Sequence, residues 1–271
     1  MTPHFADFLH FPLVLVAALL FVLSLDRLRR SRPFRTDHWP RPVARSEWNA
    51  WDQIPERPMA LFVHAWRRHS VLEHAVRINL ARSRYRNFRL FLGVHSEDLE
   101  TLAVAKSIET RHPESVIVVV IDGPISRAAT FNRMMEVLEE SIRIARATGG
   151  EKGFGWIPET VGIYDAEDIW HPQAMTAVNA AASDGLIQVP GLSLPVPVEC
   201  WLDGSYLSAF SQAQLQRFSG PRHLWLGKPG ESSGSFIRWK ALEKLRLEHG
   251  QCWDPQNSEA LAARLSATGF S

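Results

Sequence analysis

The chain has 271 residues, 45% of them apolar and 22% charged, which is enough to bury one sizeable core. Its formal net charge of +1 at pH 7 argues against nucleic acid as the main partner. Its two cysteines, Cys200 and Cys252, are far apart in sequence, which indicates packed, reduced thiols of a cytoplasmic domain rather than a disulfide framework.

The first predicted element is a membrane segment. Residues 11–25 are apolar except for Ser24, and counted from Phe5 the run reaches the roughly 20 residues that a spanning helix needs. Five arginines follow within residues 27–35, so the positive-inside rule places the rest of the chain in the cytoplasm. No small-residue cleavage site follows, which argues against a signal peptide. We therefore expect a membrane anchor over residues 1–35, with a helix lying on the lipid surface as the alternative.

Residues 36–58 are rich in proline, tryptophan and arginine without a sustained period, which predicts a linker. From residue 59 onward, apolar runs of strand length alternate with segments of helical period. The predicted strands are 59–63, 88–94, 116–121, the run beginning at 161, and 186–189. The predicted helices are 71–80, 99–109, 133–146, 175–182, 210–218 and 261–268. This alternation predicts one α/β domain over residues 59–271, with a mostly parallel sheet covered by helices on both faces.

Three acidic residues follow the run that begins at residue 161. Asp165, Glu167 and Asp168 come at the predicted end of a strand, and Pro172 suits the first turn of the next helix. Open α/β sheets bind their ligands at the carboxyl ends of their strands, and clustered carboxylates favour a divalent cation. The alternative is a solvated acidic turn that complements a helix dipole.

The string Tyr-Asp-Ala-Glu-Asp-x-x-His-Pro at residues 164–172 resembles the Asp-x-Asp site of family 2 glycosyltransferases. It is most similar to a bacterial inner-membrane branch of that family, the adsorption-protein-B type, and the resemblance runs with gaps from residue 58 to residue 270. The resemblance implies a GT-A fold and a nucleotide diphosphate sugar as donor. It also implies Mn²⁺ or Mg²⁺ on Asp165 and Glu167, with Asp165 in contact with the nucleotide sugar.

Other blocks extend the resemblance to the donor site. Residues 64–68, which begin with His64, are similar to the Pro-Ala-x-x-Glu block of the nucleotide pocket, with an arginine in place of the acid. Asp98 is then a candidate ligand of a uracil or ribose, or alternatively a helix N-cap. Arg127 takes the lysine position of a Lys-Ala-x-x-Leu-Asn block that ends at Asn132. A cation at a helix start suits a diphosphate, and a plain surface arginine is the alternative.

The later blocks concern the sugar and the acceptor. Ser233 and Gly234 begin a segment that resembles the block lining the donor sugar, although an ordinary turn before a helix has the same pattern. Trp201 and Tyr206 match an acceptor-side pattern. After Trp253-Asp254-Pro255 the family has a Thr-Glu-Asp whose aspartate is the catalytic base, and no alignment of this chain supplies that aspartate. Glu259 is the first candidate for the base and Asp254 the second.

The resemblance implies an inverting, metal-dependent hexosyltransferase that acts on a glycan or lipid-linked acceptor in polysaccharide biosynthesis. Its place would be the cytoplasmic face of the bacterial inner membrane, as a single-pass protein, with a membrane protein as a further candidate partner. The missing aspartate leaves a second class open, a catalytically impaired module that binds nucleotide, glycan or a protein partner. A nucleotidyltransferase is a third and weaker interpretation. Neither a Ser-His-Asp elbow nor a Walker lysine loop is present, which argues against hydrolases and P-loop enzymes.

Overall fold

The computed structural model describes residues 45–149, 157–181, 186–188, 192–193, 233–254 and 260–267, together with Phe21. All of these except Phe21 belong to one compact unit made of Val43–Glu199 and Gly227–Ser271, whereas Met1–Pro42 and Cys200–Leu226 belong to another. The predicted membrane segment lies outside the described residues apart from Phe21. Within the described ranges, no helix combines the length and hydropathy that a bilayer span requires.

The described elements alternate between strand and helix over most of the chain. The strands are β1 Met59–Ala65, β2 Phe88–His95, β3 Val116–Ile121, β4 Thr160–Asp165, β5 Asp168–Ile169, β6 Leu186–Gln188, β7 Leu192–Ser193 and β8 Ser235–Arg238. The helices are α1 Arg45–Trp51, α2 His69–Arg82, α3 Leu99–Arg111, α4 Arg127–Ala147, α5 Ala174–Ala181, α6 Trp239–His249 and α7 Ala260–Ala267.

The main sheet has six described strands in the order β3-β2-β1-β4-β8-β6. Strands β1 to β4 are parallel, while β8 pairs antiparallel with both β4 and β6. The mostly parallel sheet predicted from the sequence is therefore confirmed. The segment at Ser235–Arg238, for which the sequence also allowed a turn, is a strand of this sheet. Strands β5 and β7 form a separate antiparallel pair directly after the acidic strand end.

Both faces of the sheet are buried under helices. On β1, Leu61 and Val63 pack on the face covered by α2, α3 and α5, whereas Ala60 and Phe62 pack on the face covered by α4, α6 and α7. A strand buried on both faces reads as a continuous apolar run, which is why this element was visible in the sequence.

Gly162 allows the centre of the sheet to close. A Cβ at this position would lie 2.6 Å from Cε1 of Phe236 and 2.7 Å from Cδ2 of Leu61. Both neighbours are fully buried and have little room to move. The absence of a side chain at Gly162 therefore sets the distance between β4 and the residues that cover it.

Helix α4 begins six residues earlier than its apolar period predicted. Ser126 has extended backbone (φ −146°, ψ 148°), and its Oγ accepts a hydrogen bond of 3.0 Å from the N–H of Ala129. This is an N-cap, and it places Arg127 in the first turn of the helix.

Helix α1 lies inside the stretch that the sequence predicted to be a linker without regular structure. The ring of Trp48 meets that of Trp51 edge to face at 4.8 Å between centroids and stacks on His171 at 5.9 Å. The stacking on His171 is a tertiary contact, and it stabilises a seven-residue helix that is too short to be stable alone.

Candidate active site at the end of strand β4

The acidic strand end lies between two neighbouring strands of the sheet. Asp165 is the last residue of β4 and pairs in register with His64 on β1. Asp168 is 1% exposed, and its Oδ2 accepts hydrogen bonds from the N–H of Asp165 at 2.9 Å and from the hydroxyl of Ser233. Asp168 therefore closes the turn after β4, which leaves Asp165 and Glu167 as the two carboxylates that face outward.

Ser233 and Gly234 lie beside this turn. The N–H of Gly234 donates to the carbonyl of Ile163 at 2.7 Å, and Gly234 has a φ of +80°, in the region that favours glycine. The two residues that the sequence assigned to the donor-sugar block are thus brought next to the acidic strand end. The hydroxyl of Ser233 already donates to Asp168.

Each outward-facing carboxylate is paired with an arginine. Nη2 of Arg127 lies 2.8 Å from Oδ1 of Asp165, and Nε of Arg68 donates to Oε2 of Glu167 at 3.0 Å. The Arg127–Asp165 contact is short but poorly aligned for a hydrogen bond. As a result, Nε and Nη2 of Arg127 are buried without a hydrogen-bond acceptor. Arg127 therefore has donor capacity that Asp165 does not satisfy.

The electrostatics of Asp165 favour an added cation. The pKa of its carboxyl is raised to about 6, chiefly by burial; Arg127 and Arg68 lower it, and the carboxylates of Asp168 and Glu167 raise it. Two carboxylates with hard oxygen atoms at this position fit Mn²⁺ or Mg²⁺. Across the described residues, no group of three or more His, Cys, Asp or Glu side chains is placed to hold a metal ion.

Two histidines that share Thr130 as a hydrogen-bond partner border the site. The hydroxyl of Thr130 donates to the carbonyl of Ser126 at 3.0 Å, so it accepts from Nδ1 of His64 at 3.1 Å and from Nε2 of His95 at 3.4 Å. Burial, together with the positive charge of Arg127, lowers the pKa of His64 to about 4. His64 is therefore neutral at pH 7, with Nε2 as its acceptor nitrogen. The sequence indicated His64 but not His95 or Thr130, because the apolar patterns of strand β2 and helix α4 do not distinguish these two from core positions.

Asp98 has the capping role that the sequence analysis gave as its alternative. Its Oδ1 accepts from the N–H of Thr101 at 3.3 Å, and its Oδ2 accepts from the N–H of Arg67 at 2.5 Å. Arg67 has a φ of +52°, which is uncommon for a residue with a side chain, and its guanidinium lies 5.2 Å from the centroid of the Trp66 ring. Asp98 therefore stabilises the turn that carries Trp66 and Arg67 at the end of β1.

Asn132, which the sequence predicted as a nucleotide-sugar ligand, is hydrogen-bonded within the protein at both ends of its side-chain amide. Its Oδ1 accepts from the N–H groups of Cys252 and Trp253 at 3.2 and 3.1 Å, and its Nδ2 donates to the carbonyl of Trp253 at 2.6 Å. Both ends of the buried amide thus hold the loop that precedes Asp254. Asp254 in turn pairs with Arg264 at 2.9 Å.

Three predicted site residues cannot be placed. Glu259, Trp201 and Tyr206 lie outside the described residues. Of the remaining ones, the structure brings His64, Arg127, Asp165, Glu167, Ser233 and Gly234 to one edge of the sheet.

Comparison with known proteins gives one family and several relatives. Residues 55–256 match the family described as glycosyltransferase like family 2. Over 159 residues the chain is 24% identical to bacteriophage adsorption protein B of Escherichia coli K12 and to bacteriophage N4 adsorption protein B of Escherichia coli O157:H7. These matches cover 58% of this chain and only 20% of each relative, so the chain spans about a fifth of their length.

The solved structures that match include a mannosyltransferase and a glucosyl-3-phosphoglycerate synthase. The mannosyltransferase PcManGT from Pyrobaculum calidifontis, in complex with GDP-Man and Mn²⁺, matches with a TM-score of 0.48 and 15% identity, covering 95% of this chain and 63% of its own. Glucosyl-3-phosphoglycerate synthase from Mycobacterium tuberculosis, in complex with UDP, matches with a TM-score of 0.41 and 10% identity, covering 75% of this chain and 64% of its own.

Proposed function

Because the chain belongs to the glycosyltransferase-like family 2, we propose that it transfers a sugar from a nucleotide diphosphate sugar to a glycan or lipid-linked acceptor. The proposal rests on one observation: the carboxylates of Asp165 and Glu167 lie at the end of β4, and the guanidinium of Arg127 pairs with Asp165 there. A diphosphate needs positive charge and hydrogen-bond donors at the same point. Arg127 offers unsatisfied donors there, at the N-terminal turn of a 21-residue helix.

Asp165 and Glu167 would hold a divalent cation, Mn²⁺ or Mg²⁺. They fit such an ion because both carboxylates offer hard oxygen atoms at the same strand end, with side chains 31% and 20% exposed. When bound, the ion would act as a Lewis acid that offsets negative charge on the departing diphosphate. The remaining work falls to the chain itself. Arg127 binds the diphosphate, and neutral His64 presents an acceptor nitrogen beside it.

The acceptor hydroxyl needs a base for one in-line displacement, which inverts the anomeric centre. Glu259 remains our first candidate for this base, because it falls next to the family position of the missing aspartate. Asp254 is the second candidate, and its pairing with Arg264 supports that order, since a paired carboxylate must first give up its partner.

The proposed test of the function uses the purified full chain. We expect UDP or GDP to bind in the presence of Mn²⁺ and to bind at least about tenfold more weakly in EDTA, because the carboxylates repel phosphate unless a cation lies between them. Calorimetry gives the affinities, and a panel of nucleotide sugars with glycan and lipid-linked acceptors gives the transfer.

Each result of this test decides something. A chain that binds neither nucleotide contradicts the proposal, and equal affinity in EDTA removes the metal from it. Binding of a nucleotide sugar without transfer to any acceptor favours the second candidate function, an impaired transferase-like module. The lack of an aspartate in residues 256–260 is the observation that favours that candidate.

The place of action is proposed to be the cytoplasmic face of the bacterial inner membrane, with residues 5–25 as the span. The apolar run and the five arginines that follow it support this orientation. We expect a C-terminal tag to resist protease added to spheroplasts and to be digested once they are lysed. Digestion from the periplasmic side of intact spheroplasts would contradict the orientation, and a tag released into the soluble fraction would contradict the anchor.

A further inference from the structure

Arg68 occupies a carboxylate that the proposed metal would need. Its Nε donates to Oε2 of Glu167 at 3.0 Å, as Arg127 pairs with Asp165 on the other carboxylate. The two arginine side chains are 36% and 34% exposed, so both are within reach of a ligand. In the structure, each of the two candidate metal ligands is therefore held by a guanidinium.

The main chain of Arg68 is fixed while its side chain has few contacts. Its N–H donates to Oγ1 of Thr101 at 3.1 Å, and its carbonyl accepts from the N–H groups of Val71 and Leu72 at 3.1 and 2.9 Å. Among the described residues, the guanidinium donates hydrogen bonds to Oε2 of Glu167 and, at 3.4 Å, to the carbonyl of Arg67. Arg68 can therefore exchange its partner by rotating its side chain, without moving helix α2.

A divalent cation and Arg68 compete for Glu167. The three clustered carboxylates of Asp165, Glu167 and Asp168 exceed the two guanidinium groups by one charge, so a divalent cation added alone leaves excess positive charge in a half-buried place. A nucleoside diphosphate carries about three negative charges and offsets this excess. The planar guanidinium is suited to a diphosphate because it donates two parallel hydrogen bonds.

We propose that Arg68 is a second cationic ligand of the donor's diphosphate. With a divalent cation on Glu167, the guanidinium of Arg68 would leave this carboxylate and bind the diphosphate together with Arg127. This inference rests on the proposed function. It adds a residue that pairs with Glu167 in the free protein and with the diphosphate in the donor complex. Sequence reasoning gave Arg68 no such role, because Glu167 is 99 residues away.

The test compares Arg68→Gln with the wild-type chain and with Arg77→Gln. Arg77 is an exposed arginine of helix α2, which Arg68 directly precedes, and its Nη2 lies 3.2 Å from Nδ1 of His74. We expect Arg68→Gln to bind Mn²⁺ alone about two- to five-fold more tightly, because Glu167 no longer has a competing partner. We expect the same variant to bind UDP or GDP with Mn²⁺ at least about tenfold more weakly. Arg77→Gln should match the wild type in both measurements.

The opposite signs of the two effects separate this role from a structural one. Loss of both affinities would mean that Arg68 only maintains the site, and unchanged nucleotide affinity would mean that it does not bind the diphosphate; either result overturns the inference while the proposed function stands. If Arg68→Gln does not fold, Arg68→Lys replaces it. Weaker nucleotide binding by Arg68→Lys, with Mn²⁺ affinity retained, supports the inference, and unchanged nucleotide binding overturns it. A wild-type chain that binds no nucleoside diphosphate overturns the proposed function and this inference together.

Discussion

Asp165→Asn is expected to lower the rate of sugar transfer by at least about a thousandfold, since a metal Lewis acid contributes several kcal/mol to the transition state. Asparagine keeps the size of the side chain but removes the charge that would hold the cation and pair with Arg127. Single-turnover transfer with a saturating donor measures the chemical step. Asp122→Asn is the matched control, because Asp122 is an exposed aspartate in the loop after β3. Turnover within tenfold of the wild type in Asp165→Asn would remove this carboxylate from the proposed mechanism.

The same variant is expected to remain folded. Burial raises the pKa of Asp165 from 3.8 to about 6, so the wild-type chain loses stability as the pH rises through this window, because a buried carboxyl must give up its proton. Asparagine does not ionise, so the variant does not lose this stability as the pH rises. Thermal unfolding in EDTA above pH 6 should give a midpoint for Asp165→Asn that is equal to or higher than that of the wild type. A lower midpoint would mean that the ion pair with Arg127 outweighs the cost of burial.

Trp253→Ala is expected to lower the free energy of unfolding by about 3–5 kcal/mol. Trp253 is fully buried, and its ring lies 6.4 Å from that of Phe62 on β1 and 5.4 Å from that of Phe131 on α4, between centroids. Truncation leaves a cavity between strand β1 and helix α4. Both elements are held by other contacts, so they cannot move in far enough to fill it. Chemical denaturation followed by circular dichroism measures the change. Trp253→Phe fills much of the space and should cost clearly less.

A loss below about 1 kcal/mol for Trp253→Ala would mean that its loop is not part of the core. The loop matters for the site as well, because Asn132 on helix α4 holds the main chain of Trp253 one residue before Asp254. Helix α4 thus carries Arg127 at its start and positions the Trp253–Asp254 segment one turn later.

Most strands and helices could be predicted from local sequence patterns alone. Strand β3 was predicted with the bounds that it has, Val116–Ile121, because all six of its residues are apolar, although Val120 is exposed. The acidic strand end was also visible, since its residues are adjacent in sequence and the edge where they lie follows from the strand direction alone. The start of α4 was missed because its first turn carries polar and small residues, and the cap at Ser126 replaces the apolar period there.

The hydrogen-bond and ion-pair partners of individual side chains could not be predicted from the sequence, because they are residues far apart in the chain. Asn132 and Trp253 are 121 residues apart, and no local pattern indicates that one amide holds the other's main chain. The same holds for Asp168, which is one of three adjacent acids in sequence and a buried turn residue in space.

By itself, then, the sequence determined the α/β alternation, the parallel strands and the carboxylates at the end of β4, because these depend on local period and chain direction. Only the tertiary structure decided which carboxylates face outward and which arginine pairs with each. It also decided that Gly162 and Gly93 must lack a side chain, since a Cβ on Gly93 would lie 2.3 Å from Cγ2 of Thr130. The physical reason is that packing and ion pairing are fixed by distances of a few ångströms between elements, and these distances exist only once the sheet and its helices have closed on one another.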